Sequence, residues 1–85
     1  MHKLFYHPDA LKKLKRLHPN DRKRALQKLA SLSQDPQNPI LDVKKLASTK
    51  SSFRLRTGDV RAIFEINKEN KTIYIWDIDY RGSIY

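Results

Sequence analysis

The stretch SSFRLRTGDVRAIFEI, residues 51–66, alternates on either side of a turn. Phe53 and Leu55 alternate with Arg54 and Arg56, and Val60, Ala62, Phe64 and Ile66 then alternate with Arg61, Ile63 and Glu65. Period-two alternation sends successive side chains to opposite faces, so each half is expected to be a strand with one apolar face. Thr57-Gly58-Asp59 is turn chemistry, and two strands joined this closely make an antiparallel hairpin. Arg54 and Arg56 then share a face, and Arg61 can join them across the turn if polar pairs with polar.

Downstream, Asn67 to Lys71 is a second polar turn. The run Thr72-Ile73-Tyr74-Ile75-Trp76-Asp77-Ile78 is rich in β-branched and aromatic residues on both sides, which predicts a central strand with Tyr74 and Trp76 in the core rather than on a base-stacking platform. Upstream, Gln34-Asp35-Pro36-Gln37-Asn38-Pro39 reads as loop. A helix starting near Asp21 carries Ala25, Leu26, Leu29, Ala30 and Leu32 on one side. An earlier helix, opened by Pro8-Asp9, carries Ala10, Leu11, Leu14 and Leu17 and is broken by Pro19-Asn20. Lys3 to Tyr6 suits a short strand.

The predicted fold class is α+β: an N-terminal strand, a two-helix hairpin, then a three-stranded antiparallel sheet (βααβββ), in one domain over residues 1–85. The helices should cover one face of the sheet. The arginines then occupy the face left open.

A chain of 85 residues buries only about 60 to 65% of its unfolded surface. It has no cysteine, so neither disulfides nor thiolate zinc sites can supplement its core, as suits a reducing compartment. His2, His7 and His18 are scattered and show no ligand spacing, so no metal is expected. No apolar run reads as a secretion signal or a bilayer span, and a soluble, cytoplasmic protein without a membrane partner is expected. Eighteen Lys and Arg against nine acids give a net charge of +9, which favours nucleic acid, an anionic membrane or an acidic protein as partner, and charge alone does not choose among them.

The run KKLASTKSSFRLRTGDVRAIFEINKENKTIYIWDIDYRGSIY resembles the RelE/ParE superfamily of bacterial type II toxins. The likeness lies in a Lys-Leu pair, an aromatic-Arg-x-Arg strand, a Gly-x-x-Arg turn and a closing Arg-x-x-x-Tyr, and the N-terminal half, HPDALKKLKRL and a second basic helix, fits too. The resemblance implies one of two activities. RelE-type members cleave mRNA, usually in the ribosomal A site, and ParE-type members inhibit DNA gyrase. It also implies a cognate antitoxin, with operator DNA contacted only through that antitoxin.

Carried over by position, Arg54 and Arg56 match the family's paired strand bases, Arg61 the arginine after the turn, Arg81 the C-terminal arginine and Tyr85 the terminal tyrosine. Many ribonuclease members have Gly-His-Arg where this chain has Asp79-Tyr80-Arg81, so a histidine proton donor is replaced by Tyr80.

RNA cleavage by the ribose 2′-hydroxyl needs a proton removed, charge on the phosphorane stabilised, and a proton given to the leaving 5′-oxygen. Arginines suit the second task. Arg61 and Arg81 are the candidates for the scissile phosphate, with Arg54 and Arg56 completing the cluster or holding neighbouring phosphates. Tyr85 and Tyr80 are candidates for proton transfer or base stacking, and Glu65 is a reserve general base that could instead pair with a cross-strand arginine. Lys44 and Lys45 are candidates for RNA-backbone contact. The expected function is therefore a cofactor-free endoribonuclease toxin whose partners are antitoxin, mRNA and ribosome. The alternative is a gyrase inhibitor acting by binding through the helical hairpin, where Arg24 and Lys28 would matter most.

Overall fold

The computed structural model describes residues 1–47 and 51–80. Its elements run β1 (Lys3–Tyr6), α1 (Pro8–Arg16), α2 (Pro19–Gln34), β2 (Asp42–Lys45), β3 (Ser52–Thr57), β4 (Val60–Asn67) and β5 (Thr72–Tyr80). The class is the α+β one expected, but the sheet has five strands rather than three, in the order β1-β5-β4-β3-β2. Two differences account for the count. β1 joins the sheet by pairing parallel to β5, and residues 42–45 form an edge strand antiparallel to β3. β2 gave little signal because an edge strand needs one neighbour only; Val43, opposite Leu55, is its single half-buried apolar residue. Its other three residues are charged, which suits an edge that must not recruit further strands.

The helices follow their punctuation. His7 caps α1, its Nδ1 accepting the Asp9 N–H at 3.1 Å, with Pro8 in the first turn and Lys13, Lys15 and Arg16 in the last. Pro19 does not lie in a gap between helices; it begins α2, since a proline in the first turn forfeits no hydrogen bond. Leu17 and His18 alone join the two. The buried stripes are narrower than the apolar ones. Ala10, Leu14 and Leu17 of the first helical segment and Ala25, Leu29 and Leu32 of α2 are buried, while Leu11 and Leu26 face solvent.

The hairpin lies where the alternation put it. Thr57 pairs with Val60, so Gly58 and Asp59 form a two-residue loop, and Gly58 takes a φ of +59° that favours glycine. Leu55, Ala62 and Phe64 are buried beneath the helices together with Ile73, Ile75 and Ile78 of β5. Strict alternation would have carried Asp77 into that core. A β-bulge prevents it: pairing steps from Ile63–Asp77 to Phe64–Ile75, and Trp76 is the extra residue. The core assignment of Trp76 is overturned as well: with Tyr74 it has the parity opposite to Ile73 and Ile75, and it is 45% exposed. β5 is interior, between β1 and β4, as expected. No described helix is long and apolar enough to cross a membrane.

Candidate functional site

Residues of β2 to β5 opposite in parity to the buried set share the face that the helices leave uncovered. Cross-strand pairing arranges them in rows. One row reads Asp42, Arg56, Arg61, Asp79, and the next reads Lys44, Arg54, Ile63, Asp77. Four cations thus gather on the open face, with an acid at each end of the first row and at the β5 end of the second. Arg56 and Arg61 stand directly opposite each other, an arrangement that costs stability unless anions offset it. Asp42 and Asp79 flank the pair.

Arg54 is largely enclosed, with 16% of its side chain exposed. Its Nη2 reaches Asp42 at 3.5 Å, and its Nε is buried without a hydrogen-bond partner. A guanidinium carries five donors, so Arg54 keeps several for an anion. A hollow of 390 Å³ between β2 and the arginines is lined by Lys44, Lys45, Leu46, Ala47, Arg54 and Arg61. The structure therefore brings together four expected residues on this face, namely Lys44, Arg54, Arg56 and Arg61; Lys45, opposite Phe53, has the other parity and lines the hollow from the edge strand.

Others it places elsewhere. Tyr80 pairs with Val60 and so faces the helices; its hydroxyl accepts the His18 N–H at 2.9 Å and donates to Asp21 Oδ2 at 3.0 Å. That ties the joint between the helices to the end of β5, so Tyr80 is a structural tie rather than part of the arginine face. Tyr80→Phe removes both bonds and leaves the His18 N–H and Asp21 to find other partners. It is expected to lower stability by about 1 to 2 kcal/mol, read in urea unfolding, with any cleavage activity retained. Loss of activity in a folded Tyr80→Phe protein would return the tyrosine to the site.

Glu65 shares the open face but lies four residues from Arg61, roughly 13 Å along β4, opposite Ser52 and Tyr74. It forms no ion pair with a described residue. Arg81 and Tyr85 lie outside the described residues.

Nothing in the local pattern points to Lys13. This residue of α1 reaches over the end of β5, where β1 has stopped, and its Nζ lies 3.0 Å from Asp77 and 3.4 Å from Asp79. The same carboxylates accept the N–H groups of Ile78 and Tyr80 and so occupy edge donors that another strand could use. Hydrogen bonding to Asp77, with the charges of both aspartates, holds the Lys13 pKa above its ordinary value of 10.5, although desolvation opposes the shift. Because the folded value is the higher one, this stabilisation is complete below about pH 10.5 and is lost as pH rises through the folded pKa. The pair is solvent-screened, so Lys13→Met is expected to cost less than about 1 kcal/mol at neutral pH, less in high salt. The gap between variant and parent should close at strongly alkaline pH. An equal gap there would assign the effect to packing of the lysine stem.

Comparison with known proteins places this geometry. Residues 4–85 match the family described as ParE toxin of type II toxin-antitoxin system, parDE. No curated protein matches. Among solved structures, the chain is similar to archaeal RelE in its complex with RelB from Pyrococcus horikoshii OT3, with a TM-score of 0.82 and 29% identity over 96% of this chain and 97% of that one. It is similar also to RelE of the RelB-RelE antitoxin-toxin complex from Methanococcus jannaschii, with a TM-score of 0.79 and 27% identity over 95% and 94%. The isolated E. coli RelE toxin shares the fold at a TM-score of 0.81, with 17% identity over 100% and 92%. A family match over nearly the whole length, on a fold held in common with these toxins, makes the chain a member of the ParE toxin family within the RelE/ParE superfamily of type II toxins.

Proposed function

We infer that this toxin is a metal-independent endoribonuclease that cleaves mRNA, in the ribosomal A site, and so stops translation. The observation that supports the reading is the pair of cationic rows, Lys44–Arg54 and Arg56–Arg61, on the one face without helices. In the proposed reaction the ribose 2′-oxygen gives up its proton and attacks the adjacent phosphorus. The bond to the 5′-oxygen breaks, and that oxygen takes a proton. The products are a 2′,3′-cyclic phosphate and a 5′-hydroxyl. Arg61 and Arg81 stabilise the phosphorane, Arg54 and Arg56 hold it or its neighbours, and Lys44 and Lys45 meet the flanking backbone. Tyr85 is the proposed proton carrier, because Tyr80 has its hydroxyl engaged on the other face.

The partner of this toxin is proposed to be a small antitoxin with an acidic, amphipathic segment that screens the cationic face; RelE is bound to RelB in the archaeal complexes. Operator DNA would be met through that antitoxin.

A second reading, inhibition of DNA gyrase by binding, is favoured by the family description itself, which names ParE. Its surface would be α2, where Arg24 is exposed and Lys28 half-buried. Mapping RNA ends after brief expression, beside a gyrase supercoiling assay, separates the two. Cuts within codons with normal supercoiling are expected. Intact mRNA with lost supercoiling would replace the nuclease by the inhibitor.

A further inference from the structure

Next to the cationic rows the open face carries an aromatic cluster. Phe5 of β1 stands opposite Tyr74 of β5, and Trp76 follows Tyr74 on the same side with its ring 4.6 Å away at 54°. Phe5 is 49% exposed and Trp76 45%. The His7 ring lies 5.8 Å from the indole. His7 is itself held, because its N–H donates to the Ile75 carbonyl at 2.8 Å while its Nδ1 caps α1. An indole braced by two rings yet nearly half open to solvent is oriented for a flat ligand. Beside it a hollow of 630 Å³ is lined in part by Ser51, Glu65, Asn67, Thr72, Tyr74 and Trp76.

We propose that this cluster is a stacking platform for one nucleobase of a single-stranded RNA whose phosphates lie on the arginine rows. The proposal rests on RNA being the substrate. Three observations carry it. Glu65, which stands opposite Tyr74, lies roughly 13 Å from Arg61 along β4 on the same face, a span that an extended strand covers within a few nucleotides. Polar groups dominate the hollow's walls: a carboxylate, an amide and hydroxyls can meet the hydrogen-bonding edge of a base, whereas an apolar peptide side chain would leave them unpaired. Finally, the hollow carries two carboxylates, Glu65 and Glu69, against one cation, Lys68, whereas Lys44, Arg54, Arg56 and Arg61 gather on the rows beside it, so a strand lies with its backbone toward the arginines and a base toward the indole. The Glu65 carboxylate can accept from an exocyclic amino group, which selects cytosine over uracil.

Trp76 is the only tryptophan of the chain, so its fluorescence reports on the platform directly. The probe is a short RNA, 2′-O-methylated throughout so that it cannot be cut, added to the full-length toxin. Quenching is expected, with loss of quenching when an abasic site replaces the stacked base and weaker binding when uracil replaces cytosine there. Trp76→Ala should weaken binding, read by anisotropy of a labelled RNA, by about 5- to 100-fold, and Trp76→Phe by much less. Phe5→Ser supplies a second variant should Trp76→Ala fail to fold. Unchanged indole emission while RNA binds, or affinities of the variants equal to the parent's, would overturn the proposal. So would emission that responds to the cognate antitoxin but not to RNA, which would give the patch to a protein partner. Quenching by an RNA whose unmethylated form stays uncut even on programmed ribosomes would uphold the platform and remove the nuclease; cleavage there beside a silent indole would do the reverse.

Discussion

Arg61→Ala is expected to lower RNA cleavage by about 100- to 1000-fold, the loss typical of one preorganised charge contact to a developing anion. Arg61 stands in the middle of the open face, opposite Arg56 on one side and Asp79 on the other, and it lines the hollow shared with Lys44 and Arg54. Two guanidiniums forced together on a sheet repel, and a dianionic phosphorane between them would turn that repulsion into attraction. This is why the effect should fall on rate rather than on stability. Removing Arg61 ends its opposition to Arg56 but also takes a cation from the position opposite Asp79, and the net change in folding free energy should stay within about 1 kcal/mol. Arg61→Lys restores the charge without the two-pronged geometry and is expected to recover only part of the rate. Single-turnover cleavage of mRNA on programmed ribosomes, beside a urea melt of each variant, measures both. A folded Arg61→Ala protein that cuts as fast as the parent would remove Arg61 from the mechanism.

The hairpin was legible because alternation and turn chemistry agree there: Leu55, Ala62 and Phe64 are apolar, Arg54, Arg56 and Arg61 are not, and Gly58 allows the loop. The gathering of those arginines on the uncovered face followed from parity alone. What was hidden depends on contacts distant in sequence. β2 is a strand only because Leu55 lies opposite Val43. The Tyr80 hydroxyl is consumed by His18 and Asp21, some sixty positions away, and no local pattern announces that bond. Trp76 sits in a run so apolar that a core place was the natural reading; alternation from Ile73 and Ile75 faces it outward with Tyr74, and the bulge after it keeps Asp77 out of the core and Ile78 within it. The acid Asp77 following Trp76 was the one local sign that the alternation must slip.

Phe64→Ala is expected to destabilise the chain by about 3 to 5 kcal/mol, the range for deleting a fully buried phenyl ring. Phe64 has no exposed surface, stacks on Phe53 with ring centroids 5.6 Å apart and 22° between planes, and pairs with Ile75 at the bulge. The void would open where three strands meet beneath both helices, and a sheet held in register by its neighbours cannot collapse into it without shifting those strands. For 85 residues the whole stability is about 4 to 13 kcal/mol, so this one substitution removes a large share of it. Urea unfolding should show a lower midpoint with an unchanged slope, and Phe64→Leu, which refills most of the space, should recover more than half of the loss. Phe64 and Arg61 lie on the same strand, so the two variants also part the contributions of core and face. Phe64→Ala should lose activity in step with the folded fraction and recover it on cooling or in a stabilising osmolyte, whereas Arg61→Ala should not recover under either condition. A Phe64→Ala loss below about 1 kcal/mol would mean that the core is centred elsewhere and that the rows above it are not held by this packing.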